Sequence, residues 1–248
     1  MACGTAYTFD EPLREGTILA RPNRFIMDVD LDGETVRCHC PVVSRIGDID
    51  TAGLPCLVSD SHNLRRKLPL TVEALSLTAP GDPDRRWVGL NQNASNRYVE
   101  HFLRQGALPG IVDAPVPVRR EVPLGASRLD FLVDDRIYLE VKTPLRQLEC
   151  EVPAGVGRLD QPPFSSTDRA VRHLHELADS LADHDRAVIL YCLYYENDGF
   201  HFYHGATYDE VMACVDEVRE RGVELWQADF SIDAAGVDIV GCRPLEEW

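Results

Sequence analysis

Lysine is nearly missing from this chain. Its 248 residues include 23 arginines but only two lysines, Lys67 and Lys142, although lysine is ordinarily among the commonest residues. Basic residues total 25 against 41 acidic ones, for a net charge of -16. Such a balance gives no positive overall field. It excludes a generic basic nucleic-acid binder and leaves any nucleic-acid contact to local clusters. Long apolar runs are also absent, since no stretch approaches the 18 or so residues of a membrane span. The opening MACGTAYTFDEPLREG has neither a basic n-region nor an apolar h-region, so a cytoplasmic location is expected. The eight cysteines form no CxxC pair, and a disulfide framework is not expected in a long, unsecreted chain. In Cys38-His39-Cys40 successive strand residues face opposite ways and no second ligand pair follows. Buried strand cysteines are the expected reading there, not zinc. No internal repeat or low-complexity tract appears.

What is present is enough apolar material for a core, 44% of residues, and an acidic surface. Acid-rich, lysine-poor and arginine-retaining composition points to a halophile's cytoplasm, with a high-GC genome as the plainer alternative. The pattern of elements changes near residue 90. After a loose leader at 1–15, residues 16–90 read as short strands, with Leu31-Asp32-Gly33 as a hairpin turn between Arg24–Asp30 and Glu34–Cys40. Leu54–Ser59, Leu70–Thr78 and Arg86–Leu90 follow, which fits a small barrel or half a sandwich. Residues 91–248 read as alternating helices and strands. Helices are expected over Asn93–Gln105, from a cap at Ser166/Thr167 to about Ala182, and over Tyr208–Arg221. Ala187–Tyr194 is a nearly continuous apolar run that suits a central buried strand. The expectation is a two-domain α/β (α+β overall) protein.

The chemistry is concentrated in Ser127-Arg128-Leu129-Asp130-Phe131-Leu132-Val133 and Ile137-Tyr138-Leu139-Glu140-Val141-Lys142. If residues 134–136 form the turn, Val133 pairs with Ile137, Phe131 with Leu139 and Leu129 with Val141, placing six apolar residues on one face. The same register sets Asp130 against Glu140 and Arg128 against Lys142 on the other face. Opposed carboxylates repel, and a hard divalent cation such as Mg²⁺ removes that penalty. Lys142 on the same face can orient or deprotonate a water, or offset charge on a phosphate. Arginine would not serve, because it does not give up a proton. The plainer alternative is a row of ion pairs on a solvated hairpin.

These residues resemble the PD-(D/E)XK nuclease superfamily. More closely, the chain is similar to the sugar fermentation stimulation protein family (SfsA). The matching pieces are RPNRFIMDV at 21–29, CHCP at 38–41, SHNLRRKLPLT at 61–71, NQNASNR at 91–97, SRLDF at 127–131, YLEVK at 138–142 and TDRAVRHL at 167–174. The resemblance implies an N-terminal OB-like β-barrel followed by a restriction-endonuclease-like α/β domain. It implies binding and cleavage of DNA or RNA with Mg²⁺ or Mn²⁺ as cofactor. Asp130 and Glu140 would be metal ligands, the Val141 carbonyl an extra ligand, and Lys142 the catalytic lysine. Where the family continues HCP with NTG, this chain has Val42-Val43-Ser44. A non-catalytic DNA-binding or regulatory protein on the same fold is the competing expectation.

Candidate nucleic-acid contacts are local. Arg65-Arg66-Lys67 is the densest basic run, able to hold phosphates or to be a solvated loop. Arg24 with Phe25 pairs a cation with a stacking ring, unless Phe25 is core. Asn91, Asn96 and Arg97 flank a helix start, where free N–H groups favour an anion, with Asn96 as helix cap the alternative. Arg128 and Arg169 add charge near the hairpin. His173 shares a helix face with Arg169, Glu176 and Ser180; a simple surface histidine fits the sequence, while by the family match it would contact the scissile phosphate or assist proton transfer. Glu100 is a further candidate ligand or a solvent-facing residue. Partners expected are DNA or RNA and no membrane, with monomer and homodimer both open.

Overall fold

The computed structural model describes residues 6–42, 44–63, 65–78, 82–124, 127–160 and 168–246; the side chains of 127 and 168–170 lie outside that description. The first sheet contains β2 (Arg14–Asn23), β3 (Ile26–Leu31), β4 (Glu34–His39), β5 (Pro55–Asp60), β6 (Leu70–Ser76) and β7 (Trp87–Gly89), in the order β4-β3-β2-β5-β6-β7. A parallel pairing of His39 with Thr71 joins β4 to β6, so five strands close into an OB-type barrel with β7 added beside β6. The turn at Asp32-Gly33 forms because both residues take positive φ, 59° and 86°, the geometry that two-residue hairpins need. Along β3, Met27, Val29 and Leu31 are buried while Ile26, Asp28 and Asp30 are half-buried, the two-residue period of a strand lining a core.

The second sheet has the order β1-β13-β12-β11-β10-β9-β8. Its strands are β1 (Tyr7–Thr8), β8 (Val118–Leu124), β9 (Ser127–Val133), β10 (Ile137–Lys142), β11 (Arg186–Leu193), β12 (Glu224–Ile232) and β13 (Gly236–Pro244). The helices are α1 (Gln92–Gln105), α2 (Asp168–Ser180) and α3 (Tyr208–Glu220). Strands β10, β11 and β12 run parallel. Within and just beyond β11, Ala187, Ile189, Tyr191, Leu193 and Tyr195 join the cluster that contains α2 and α3 residues. Val188, Leu190, Cys192 and Tyr194 join the cluster that contains α1. The apolar run is therefore a strand covered on both faces. Each large side chain buried in this way contributes about 1.5–3 kcal/mol.

Three expectations need correction. The segment 1–15 is not a loose leader throughout: Tyr7 and Thr8 pair with Val237 and Gly236, and the Tyr7 ring packs edge-on to Tyr98 at 4.8 Å. The pairing is this close because Gly236 has no side chain; a Cβ there would lie 2.2 Å from the Tyr7 carbonyl oxygen. Strand β2 had no clear sequence signal, since only Ile18 along it is fully buried and its register shifts at Ala20. Strand β13 likewise has no clear sequence signal, since only Val237 along it is buried. The Ser166/Thr167 cap lies outside the described residues.

The two sheets are joined at several points. The Gly89 N–H donates to the Tyr194 carbonyl (2.9 Å), Gly47 to Leu145 (2.7 Å), Asp50 to Gly157 (2.8 Å) and Leu159 to Asp48 (2.7 Å). The barrel loop 44–50 is thus tied to the 145–159 segment that follows β10.

Where the interior strands β11 and β12 begin, Arg186 makes a two-pronged pair with Glu224 (Nε–Oε1 2.7 Å, Nη2–Oε2 2.7 Å). Burial alone would raise the Glu224 pKa, but hydrogen bonds from Arg186 and Trp226 pull it below its ordinary 4.5. A depressed folded value means that the pair stabilises fully above about pH 4.5 and fades as pH falls through the lower folded value. Glu224→Gln should cost about 1 kcal/mol at pH 7, allowing for solvent screening. The gap in melting temperature from the wild type should close as melts are repeated toward pH 3.

Candidate functional site

The expected hairpin register is present, but only in part. Val133 pairs with Ile137, Leu132 with Tyr138 and Phe131 with Leu139, and the ladder ends there. Asp134 and Asp135, with φ of 52° and 54°, make the turn. Beyond Phe131 the direct opposition of Asp130 to Glu140 gives way to another arrangement. The Asp130 carboxylate takes the place of a ladder carbonyl, its Oδ2 accepting from the Val141 N–H at 2.8 Å. On the other flank Glu121, between the residues paired with Phe131 and Leu129, has φ 49°. Of the six apolar residues expected on one face, Phe131, Val133, Ile137, Leu139 and Val141 share a cluster; Leu129 packs in the other.

Asp130 and Glu140 nevertheless open into one cavity of about 690 Å³, together with Val141, Lys142, Asn96 and His173. Glu140 is 4% exposed. Its Oε1 accepts from Lys142 Nζ (2.6 Å) and is 2.8 Å from His173 Nδ1. Its Oε2 is buried with no hydrogen-bond partner among the described residues, an expensive state for a carboxylate oxygen. Asp130 Oδ1 accepts from Asn96 Nδ2 at 2.6 Å. Burial first and the charge of Glu140 second raise the Asp130 pKa, despite hydrogen bonds from Val141 and Asn96. For Glu140, burial is the largest influence and pushes upward, but Lys142 and His173 together hold its pKa below the ordinary value.

The asparagines exchange the roles expected of them. Asn91, not Asn96, caps α1: its side-chain oxygen accepts from the Ala94 N–H (3.1 Å) and its amide donates to Glu73 Oε2 (2.7 Å). With both ends engaged, Asn91 is a structural link between barrel and helix rather than an anion contact. Asn96, one turn along, orients Asp130. His173 is not on an exposed polar face but buried behind Glu140, and Ser180 on the same face is buried too.

The other candidates whose side chains are described do not line this cavity. Phe25 is exposed, with the Arg24 guanidinium 4.6 Å over its ring, so it is not core. Arg65, Arg66 and Lys67 are exposed on the β5–β6 loop. Arg97 sits over the Tyr7 and Tyr98 rings at 5.8 and 5.6 Å, and Arg128 pairs with Glu121 at 3.4 Å. Glu100 pairs with Arg104 and Arg120 and does not join the carboxylates. The Arg169 side chain lies outside the described residues. Cys38 and Cys40 are buried free thiols. Burial pushes the Cys38 thiol up to about 11, which opposes metal ligation through a thiolate. Residues missed from sequence include Gln92, whose amide donates to the Thr143 carbonyl at 2.6 Å at the cavity wall. Glu149 was also missed: it is buried at the same cavity and bonded to His201 Nδ1 at 3.0 Å. Neither has a local sequence signal, because their partners, Thr143 for Gln92 and His201 for Glu149, are distant in the chain.

A five-stranded barrel followed by an α/β domain, with two carboxylates and a lysine converging at the end of its central strands, defines the class of protein. Family models match both parts: "SfsA N-terminal OB domain" over residues 19–90 and "Sugar fermentation stimulation protein RE domain" over 93–236. The chain belongs to the sugar fermentation stimulation protein (SfsA) family. A Synechococcus elongatus homolog bearing that name is 36% identical over 97% of this chain and 98% of its own length. An Alcanivorax borkumensis homolog is 34% identical over 90% and 93%. The structure of Pyrococcus furiosus SfsA in complex with Ca²⁺ matches the fold with a TM-score of 0.71 and 19% identity, covering 97% of this chain and 98% of that one.

Proposed function

We propose that the protein is a divalent-metal-dependent nuclease of the PD-(D/E)XK type that hydrolyses phosphodiester bonds of DNA or RNA. One observation carries this reading: a buried carboxylate oxygen, Glu140 Oε2, has no hydrogen-bond partner among the described residues and shares a cavity with a second carboxylate, Asp130. The donor set suits Mg²⁺ or Mn²⁺. Among the described residues no group of three or more His, Cys, Asp or Glu is arranged to hold a metal, but Mg²⁺ typically takes one or two carboxylates and completes its shell with water and substrate oxygens. Asp130, Glu140 and the Val141 carbonyl would supply the protein ligands. The Pyrococcus furiosus SfsA is in complex with Ca²⁺, another hard cation that prefers oxygen, and this supports the same reading.

The cation, when bound, supplies Lewis acidity at the phosphoryl oxygen. The chain's own residues do the rest. Asn96 and the Val141 N–H fix the Asp130 carboxylate, and His173 fixes Glu140 from behind, which makes both side chains positioning residues. Lys142, half-exposed beside Glu140, can turn its ammonium toward a phosphate oxygen and offset the charge that develops as the bond breaks. The net charge of -16 gives no long-range attraction, so nucleic-acid affinity rests on local arginines, stacking and the metal.

Purified protein incubated with single- and double-stranded DNA and RNA should cut in Mg²⁺ or Mn²⁺ and stop in EDTA. Cutting that persists in EDTA would sink the metal reading. Binding without cleavage in any metal would leave the non-catalytic alternative.

A further inference from the structure

The cavity at the carboxylates is much larger than a metal and a phosphate require, and most of its wall is apolar. Its position follows from sheet register. In the parallel β10–β11 ladder Glu140 is paired with Ile189 and Lys142 with Tyr191. Ile189 and Tyr191 are thus one strand spacing, about 4.8 Å, from the proposed metal ligand Glu140 and the proposed phosphate contact Lys142. Leu174 and Leu177 of α2 close over them, and Leu177 is fully buried. Phe200 stacks on the Tyr191 ring at 4.0 Å with an interplanar angle of 17°. At the rim, Tyr203 is exposed with the Arg146 guanidinium 4.8 Å over its ring.

We propose that this apolar annex receives an unpaired nucleobase next to a phosphate held by Lys142 and by the cation that Asp130 and Glu140 would bind, so that the substrate is single-stranded or locally unpaired nucleic acid. The inference rests on the nuclease reading and narrows its substrate class. A base paired in a duplex has its edge and both faces covered and does not enter a walled cavity, whereas an unstacked base offers an apolar face to aromatic walls. The cavity volume of about 690 Å³ is in the range of sites that enclose a small organic group. A second feature continues the path. The Arg21 guanidinium bonds both the Ser44 carbonyl at the cavity rim (2.9 Å) and the Arg24 carbonyl (3.3 Å). Arg21 thus ties the backbone next to the exposed Phe25 to the rim, and Phe25 with its overlying Arg24 is the candidate platform on which the next base can stack.

The test uses 2-aminopurine oligonucleotides, deoxy and ribo, with the intact chain and Ca²⁺, a hard cation that prefers oxygen, so that the phosphate site is complete, with gels run alongside to show that the oligonucleotides stay uncut. Single strands are expected to bind at least tenfold more tightly than the same sequence in a blunt duplex, with quenching of the 2-aminopurine. Leu177→Trp, which fills the annex, should abolish quenching and weaken binding about tenfold or more while Mn²⁺ still raises the melting temperature. Tyr203→Ala, at an exposed site that does not threaten folding, should weaken single-strand binding severalfold and decides the matter if Leu177→Trp fails to fold. Equal binding of single strand and duplex, or quenching unchanged in Tyr203→Ala and in a folded Leu177→Trp, overturns the proposal. The two readings fail separately. Quenched single-strand binding with no cleavage in any metal retires the nuclease and keeps the annex; equal cutting of duplex and single strand, undiminished in Leu177→Trp, retires the annex and keeps the nuclease.

Discussion

Asp130→Asn should reduce metal-dependent cleavage by about 10³-fold while leaving the protein folded, a loss typical of removing a charge-stabilising group from an active site. The substitution keeps the shape and removes one negative charge from the pair. Its amide also fits its surroundings. The new side-chain oxygen can still accept from the Val141 N–H, and its NH₂ can donate to Asn96 once that amide turns over, so both hydrogen bonds now made by Asp130 are recovered. The loss would then reflect the missing ligand charge rather than a damaged hairpin. Lys142→Ala is expected to lose a comparable factor, but Asn96→Ala and His173→Ala only about 10–100-fold, because they act through the carboxylates. Equal rates for Asp130→Asn and the wild type, measured by gel assay at saturating Mn²⁺, would place the chemistry elsewhere.

Manganese should stabilise the wild type by several degrees and Asp130→Asn hardly at all. In the metal-free protein, burial and the neighbouring Glu140 raise the Asp130 pKa, and Glu140 Oε2 is buried without a partner among the described residues. A cation that binds only the folded chain relieves both penalties. At a hundredfold excess over its Kd it adds about 2.7 kcal/mol, or roughly 5–10 °C in Tm for a chain of this size. The check is a pair of melts, with EDTA and with Mn²⁺, on both proteins. An equal rise in Asp130→Asn would mean that the stabilising ion binds at another site.

Much of this site was legible in the sequence because its core is a short-range pattern. The apolar alternation on either side of residues 134–136 admits one turn length, and that register holds as far as Phe131 and Leu139; just beyond it Asp130, Glu140 and Lys142 open into one cavity, Asp130 by bonding the Val141 N–H rather than by facing Glu140 directly. The same logic identified β11 as buried on both faces and Asp32-Gly33 as a hairpin turn. What the sequence did not disclose depends on distant parts of the chain. Asn91 and Asn96 both flank the start of α1, and residue type alone does not say which one caps it; Glu73, on a barrel strand, captures the first, and Asp130 captures the second. His173 reads as part of a polar helix stripe, and only the packing of α2 on the sheet buries it against Glu140. The annex leaves no sequence mark at all: Leu177, Ile189, Tyr191 and Phe200 each look like ordinary core residues, and they surround a cavity only when α2, β11 and the loop after it are assembled. Strand β2 escaped because its bulged register breaks the two-residue alternation.

The near-absence of lysine acquires a meaning at the site. Lys142 ends β10 against Glu140, where the proposed nuclease chemistry calls for a mobile ammonium rather than a rigid guanidinium, while Lys67 lies in the exposed Arg65-Arg66-Lys67 run of the barrel. Elsewhere positive charge is arginine, and many of those arginines pair with the abundant acids, as Arg186 does with Glu224 and Arg37 with Asp28.

The most direct test is an anomalous difference map from a crystal of the protein soaked in Mn²⁺, collected near the manganese edge. The account predicts one strong peak between the Asp130 carboxylate and Glu140 Oε2, within coordination distance of the Val141 carbonyl, with the Lys142 ammonium moved off Glu140. Full occupancy at another site, with Lys142 still paired to Glu140 and no peak between the carboxylates at saturating metal, would contradict it.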